Sequence, residues 1–500
     1  MKNYRGLQFD ENGWLVQTQF LDANARIVYA STTEGDDVTA NKNQYGRSYY
    51  LPSDPVIGPD PTNPIGPVYA HGTLNSAYTA ARCIGGAASR KPDWLLFNRG
   101  DTFDFSTLVL GKDYPGGKFL SLTTGGGPTP NQRRAFGAYG DVTTDRPKMA
   151  NVGSGNGIWG KVPTNVYIFS LEFLDDAPYG AGLFQLLYGP NVFIEDVRME
   201  GGGFGTNQTS NDSLYAVRRS VAQNAYRLPE TKPNGSVADP HVQGLFIGGG
   251  DKNWISESVI DMCGYKENPR KPSTWTGGVT SDLSRGELPA GDFLGEINGV
   301  QPTRTWFDRN AYLSTYNELE FEGNIISRGG GGGCVQIRVG GVVKNNAFLW
   351  NQHALAGEHR EASREKLQEV SIENNLVLHD DHMIPPGGFG LGITSGSGNN
   401  FSQTIKSNII AHFHRGTAGG GALLYAAGVP TGPDDRPSQN SKVAYMDDNV
   451  VLSKTNHIVG LSTKSDGGVS SAYVGRNAFV KLTGSSTWRD VKSSNTQFRE

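Results

Sequence analysis

One short pattern recurs through the second half of the chain: an asparagine followed by two mostly apolar residues, at Asn324, Asn346, Asn375, Asn408, Asn449 and Asn477. Successive asparagines stand 22, 29, 33, 41 and 28 residues apart. Alternating segments precede them ("LEFEGNII", "VSIENNLV", "TIKSNIIA", "YVGRNAFV"), and a second short apolar segment follows several ("CVQIRV", "FGLGIT", "ALLYAA", "HIVGLS"). Short strands divided by turns at a period of 22 or more residues are the coils of a parallel β-helix. Successive coils pair strand on strand, so identical positions stack. A buried asparagine at a fixed corner can bond turn backbone and the asparagines above and below it, which satisfies groups that burial otherwise penalises. Upstream, "NVYIFSLEF" at 165–173 and "NVFIEDVRM" at 191–199 match the pattern, and "NWISESVID" at 253–261 is a looser member.

Other repetitive folds fit less well. A propeller has roughly 40–45-residue blades of four strands, and a β-sandwich does not explain the repeated asparagine. The unequal spacings are loops inserted at a corner, where function is usually placed. The 67 glycines and a charged fraction of only 19% suit many short strands and tight turns. A net charge of −4 with no basic block gives nucleic-acid binding little electrostatic support. A weakly charged surface does suit a neutral or mildly anionic polymer. Cys83, Cys263 and Cys334 have neither metal-type spacing nor a disulfide framework and read as small buried thiols.

The first part of the chain reads as a cap. "RIVYAS" at 26–31 is a strand, and "PDWLLFNRGDTF" at 92–103 is a strand leading into a turn. Between them, "TLNSAYTAARCI" puts Leu74, Ala77, Tyr78, Ala81 and Ile84 on one helical face, able to plug an open solenoid end. Residues 41–70, rich in Pro, Gly and Asp, read as a surface loop. The expected organisation is a cap and first coil over 1–110, a parallel β-helix with loop insertions over 111–485, and a polar tail or cap over 486–500. The N-terminus lacks the apolar core of a signal peptide and no run reaches transmembrane length. The expectation is therefore no membrane span.

The strand "IVYAS" with the following "EGDD", the amphipathic helix and "PDWLLFNRGDTF" together resemble the opening of pectate-lyase-like right-handed parallel β-helix proteins. The asparagine-marked coils resemble their body, so the likeness covers most of the chain at fold level. It implies an all-β, single-stranded right-handed parallel β-helix with an N-terminal capping helix and inserted corner loops. It also implies a polysaccharide partner, and a place outside the cytosol: extracellular or periplasmic with the signal peptide removed, or on a phage virion surface. Its members include lyases, hydrolases, epimerases, esterases and tailspikes. No catalytic motif of one enzyme family is matched residue by residue, and a monomer and a trimer both stay open.

Six of nine histidines fall between 353 and 414: His353, His359, His379, His382, His412 and His414. Four residues after each repeat asparagine come Arg328, Trp350, His379, His412, Ser453 and Lys481, and seven residues after come His353, His382 and Arg415. In register, these form two columns leading into the corner loops "NQHALAGEHREAS", "HDDHMIPPGG" and "AHFHRGTAGGG". A groove across several coils is expected there. Trp350 offers an apolar face for a sugar ring. Arg328, Arg338 and Arg360, with His414 beside them, suit acidic groups on the substrate.

A lyase acting on a uronate polymer must neutralise the substrate carboxylate, take the ring proton beside it and protonate the departing oxygen. Histidine serves as base near neutral pH. His379 or His382 is the candidate base, with His353, His412 and Arg415 in support. A hydrolase needs two carboxyl groups, about 5–5.5 Å apart for retention and roughly 6.5–9.5 Å for inversion. Asp380 and Asp381 lie in the histidine loop, Glu358 one coil away, and Asp196 and Asp261 in earlier coils. "HDDH" by itself defines no ligand geometry, so no metal ligand is assigned, and a divalent cation such as Ca2+ stays an open cofactor. The expected activity is a polysaccharide lyase ahead of a glycoside hydrolase, with a tailspike- or adhesin-type glycan binder as the non-enzymatic alternative. The run Gly329 to Gly333 reads as a corner that keeps one end of the channel open, with Val335, Ile337 and Val339 facing the core and Gln336 and Arg338 facing out.

Overall fold

The computed structural model describes residues 2–4, 6–83, 90–108, 126–152, 164–174, 183–185, 191–206, 214–225, 230–231, 237–238, 243–248, 252–261, 263, 309–313, 318–329, 335–337, 340–349, 351, 355–357, 368–379, 391–395, 401–412, 422–427, 443–453, 459–462, 471–474, 476–481 and 496–498. The described chain is all-β with a few short helices, and its long sheets are parallel. This architecture is compatible with a parallel β-helix. It divides into two compact units: Met1–Ala177 with Phe184–Glu200 and Ser213–Ser220, and Pro178–Leu183 with Gly201–Asp212 and Val221–Glu500.

In the first unit, one parallel sheet runs in the order Ile27–Ala30, Trp94–Asn98, Arg134–Tyr139, Val166–Phe169, Val192–Glu195, Leu214–Arg218. A second runs Thr102–Asp104, Lys148–Ala150, Glu172–Leu174, Arg198–Glu200. The first sheet is buried on both faces, which is why its strands read as continuous apolar runs such as "WLLF" and "VYIF". Part of its cover is the N-terminal segment, whose Leu7, Phe9, Leu15 and Phe20 are buried. Phe20 meets Tyr167 edge-on at 5.5 Å. Gly137 leaves room for a large neighbour: a Cβ there would lie 2.1 Å from the Phe169 ring.

The outer edge of Ile27–Ala30 is closed by chain rather than by another strand. Ile27 N–H donates to Tyr50 O at 2.9 Å and Tyr50 N–H returns to Ile27 O at 2.8 Å. Ser31 N–H donates to His71 O at 2.9 Å and His71 N–H to Tyr29 O at 2.8 Å. Residues 41–70 are thus more than the expected surface loop, because Tyr50 and Ile57 are buried and the segment satisfies an edge that would otherwise template further pairing. The helix forms over Leu74–Ala80, with the Thr73 side chain accepting from Ser76 N–H. Leu74, Ala77, Tyr78 and Ala81 are buried as its apolar stripe requires, and Ile84 lies outside the described residues.

In the second unit three strands recur in fixed order. One coil is Glu318–Glu322, Ile325–Ser327, Val335–Ile337, and the next is Gly341–Lys344, Ala347–Leu349, Leu355–Gly357. Each strand pairs in parallel with its counterpart in the next coil. The second apolar segments of the sequence pattern are the third strands, including Leu391–Ser395, Ala422–Ala427 and Val459–Ser462.

The repeat asparagine stands between the first and second strand of each coil. Before it comes a residue at positive φ: Gly323 (68°), Asn345 (59°), Asn374 (54°), Ser407 (56°) and Asp448 (53°). Left-handed backbone at one residue turns the chain without breaking the ladder, and small or amide side chains tolerate it best. Main-chain bonds continue through the corner, as in Leu376 N–H to Asn346 O and Ile409 N–H to Asn375 O, both 2.9 Å. The asparagines behave as expected: Asn324, Asn346, Asn375, Asn408 and Asn449 are at most 2% exposed, and each Nδ2 donates to the Oδ1 of the next asparagine.

Three upstream asparagines do not belong to this corner. Asn165 and Asn191 precede the strands Val166–Phe169 and Val192–Glu195, at φ 59° and 62°, and bond each other at a different turn. Asn253 lies inside the strand Lys252–Ser256. The true equivalents of the repeat position follow Ser170, Asp196, Arg219 and Glu257, all at positive φ, and are Leu171, Val197, Ser220 and Ser258. A strand start and a corner both favour Asn before apolar residues, so the sequence pattern merges them. Gln336 is likewise not outward and free of cover: it is 2% exposed between Val335 at 0% and Ile337 at 1%. The outer face of that strand is covered too. Cys83 and Cys263 are buried free thiols, while Cys334, Val339, Arg338 and Gly330 to Gly333 lie outside the described residues.

Candidate functional site

The candidate site is the end of the second sheet in the second unit, where the chain leaves one strand for the long segments that precede the third. The strands Leu376–His379 and Ile409–His412 end on histidine, four residues after their corner asparagines. His379 is in register with His412, His412 with Ser453, and Ser453 with Lys481. Arg328 stands one residue past Ser327, at a left-handed turn (φ 49°), and its N–H donates to Leu349 O at 3.1 Å. Of the six expected positions, His379, His412, Ser453 and Lys481 thus share one register, while Trp350, between them and Arg328, lies outside the described residues. Neighbouring members are separated by one strand spacing, ~4.8 Å.

Arg328 is already oriented. Its Nε donates to Asp261 Oδ1 at 2.9 Å, and its Nη2 pairs with Asp261 Oδ2. Ser327 Oγ also donates to Asp261 Oδ1, at 2.6 Å. A carboxylate gripped by a guanidinium fork and a hydroxyl is a positioning group rather than a general acid. Asp196 accepts Arg146 Nη2 on Oδ1 and Ser170 Oγ on Oδ2 at 2.8 Å, while Arg146 Nε donates to its main-chain carbonyl at 3.1 Å. The remaining candidates, His353, Trp350, Arg338, Glu358, Arg360, Asp380, Asp381, His382, His414 and Arg415, lie outside the described residues. Among the described residues no group of three or more His, Cys, Asp or Glu could hold a metal ion.

Two other polar centres, both in the first unit, were not legible in the sequence. Glu195 is 2% exposed and takes Arg218 Nη1 on Oε1 at 2.7 Å and Leu15 N–H on Oε2 at 3.2 Å, with Tyr167 Oη 3.5 Å away. Burial pushes its carboxyl up, against the pull of Arg218, to about 7. Arg218 in turn donates to Gly13 O at 3.2 Å and lies over the Phe9 ring. Through Leu15 and Gly13 this centre pins the N-terminal segment to the sheet. Asp101 accepts from Ser31 Oγ, Thr33 Oγ1 and Thr32 N–H, each at 2.7 Å. Burial raises its carboxyl, but these donors outweigh it and hold the group below the usual carboxylate range.

One further pair escaped sequence reasoning. Phe246 and Tyr312 stack at 5.5 Å and 17° on neighbouring third-sheet strands, with Arg309 over Tyr312. Their register partners lie 66 residues apart in sequence, so spacing gave no signal. The two rings turn faces to each other, which serves register more than sugar stacking.

A scan against protein-family models found no match, and searches of curated proteins and of solved structures returned no similar protein.

Proposed function

We infer that the chain is a right-handed parallel β-helix protein that cleaves an acidic, uronate-containing polysaccharide, by β-elimination ahead of hydrolysis. Right-handed closure is favoured because parallel crossovers within a sheet take that hand in nearly all cases. The observation that carries the activity is the register of His379 with His412, with the pre-oriented Arg328 two coils before His379. Histidine can remove a proton near neutral pH, and guanidinium groups can stabilise the carboxylate that sharpens that proton's acidity.

In this reading His379 or His382 takes the ring proton beside the carboxylate. The freed electron pair forms the ring double bond, the bond to the glycosidic oxygen breaks, and that oxygen receives a proton. His353, His412 and Arg415 support the step. Arg328, Arg338, Arg360 and His414 hold acidic groups, and Trp350 packs on a sugar ring. Asp380 and Asp381 are the carboxyls a hydrolytic variant would use. A long polymer substrate places the protein outside the cytosol or on a virion surface.

The test is a panel of uronate-containing and neutral polysaccharides, followed by absorbance of unsaturated products and by new reducing ends. Absorbance together with reducing ends supports elimination. Reducing ends alone move the reading to hydrolysis, and retained binding with neither signal sinks the enzyme reading.

A further inference from the structure

The N-terminal segment lies over the outer face of the first-unit sheet without joining its ladders. Among the described residues, the main-chain bonds that Leu7 to Ala25 make to other main-chain groups stay within residues 2–25. Val16 N–H donates to Gln8 O at 2.9 Å, and Asp10 N–H donates to Trp14 O at 2.8 Å. The Gln19 side chain closes the piece: it accepts Gln8 N–H at 2.9 Å and donates back to Gln8 O at 3.0 Å. The segment is thus folded on itself.

Side chains hold it to the sheet. Arg218 donates to Gly13 O at 3.2 Å, and Arg219 donates to Asn12 O at 2.8 Å. Arg219 lies over the Trp14 ring at 4.2 Å, and Arg133 over the Phe20 ring at 4.7 Å. Gln132 bonds Asp22. Leu7, Phe9, Leu15 and Phe20 are buried. The sheet face that carries Glu195 also carries Tyr167, Phe169 and Phe193, by register and by the two-residue period. Tyr167 stacks on Phe169 at 4.7 Å and meets Phe193 edge-on at 5.7 Å. A piece that keeps its own bonds, and whose departure breaks no ladder, can open while the sheet stays folded.

Glu195 stands within this contact. Arg218 faces it from the neighbouring strand, Arg219 and Asp196 from the corner, and Tyr167 from the strand on its other side. The segment brings Leu15 N–H, with Asp10 capping Trp14 N–H and Glu11 exposed. We propose that residues 7–20 form a strap that detaches from the first-unit sheet as a unit, with Glu195 as its latch, and so uncovers Tyr167, Phe169 and Phe193. Closure buries the Glu195 carboxyl and favours its protonated form, against the pull of Arg218. Release returns the carboxylate to water. The latch therefore holds in acid and loosens towards neutral pH.

Native-state hydrogen exchange of the full chain, across urea and pH, tests this. Protection is taken relative to the unstructured rate at the same pH, so that base catalysis of exchange cancels. Leu15 N–H reports the strap, because its bond goes to Glu195, and Ile168 N–H reports the ladder. Leu15 should be at least about tenfold less protected than Ile168, and its exchange should respond only weakly to urea, because release exposes little surface. Its protection should fall at least about tenfold from pH 4.5 to about 7. In Glu195→Gln it should stay level with pH. Protection of Leu15 equal to that of Ile168, an equally steep urea response at both sites, protection at Leu15 that is flat or rises with pH, or a pH dependence that survives Glu195→Gln overturns the proposal.

Discussion

Asn346 Nδ2 donates to Asn375 Oδ1 at 3.0 Å, and the same oxygen accepts the Asn346 main-chain N–H at 3.0 Å. Asn375 Nδ2 donates in turn to Asn408 Oδ1 at 3.0 Å and to Val343 O at 2.9 Å. Each amide thus closes the polar groups of the corner beneath it, and the column is satisfied only as a whole.

Asn375→Leu should therefore destabilise the chain by about 3 kcal/mol, since it leaves the buried N–H groups of Asn346 without their acceptor. Asn477→Leu, at the part-exposed end of the column, should cost clearly less because water can replace the lost partner. Urea unfolding of both variants checks the contrast.

Gly137→Ala should cost about 1–3 kcal/mol by overpacking. The new methyl would meet the Phe169 ring, itself stacked on Tyr167 at 4.7 Å. Adding Phe169→Leu should recover part of the loss. A double-mutant cycle that shows simple additivity would place the strain elsewhere.

Glu195 makes stability depend on pH with a definite sign. Its folded pKa lies above the ordinary value, at about 7 against 4.5, so the folded chain binds the proton more tightly than the unfolded one. That contribution is complete below pH 4.5 and is lost as pH rises to about 7. Glu195→Gln keeps the neutral form at every pH. The thermal midpoint of the native chain relative to this variant should fall across that window and stay level on either side. Hydrogen exchange at Leu15 should follow the same curve, because its N–H is bonded to Glu195.

His379→Ala and His412→Ala should each lower polysaccharide cleavage by 10²- to 10⁴-fold if general acid–base chemistry runs through this column. Ser453→Ala, in the same register further along, should have a small effect. Steady-state rates at saturating polymer, with circular dichroism to verify folding, distinguish a chemical role from a structural one.

The repeat was legible because a corner has a narrow chemical solution. The left-handed residue, the buried amide and two apolar residues must follow one another within a few positions, so Gly323 to Ile326 and Asn374 to Val377 look alike in sequence. The register of His379 with His412 followed from counting outward from that corner. What counting could not reach depended on partners far away in sequence. Glu195 is closed by Leu15, and the edge of Ile27–Ala30 by Tyr50 and His71. His382 and Arg415 lie outside the described residues.

The amino-acid sequence by itself determined the parallel stacking, the asparagine column and the positions that share a strand end, because each recurs at every coil and bonds to its counterpart in the next. The tertiary structure decided which outward faces are covered and which are open. Gln336 is buried, Ile325 and Ile409 are exposed, and the first-unit sheet is buried on both faces. A period of two residues tells one side of a strand from the other. Whether either side meets water depends on chain that arrives from elsewhere.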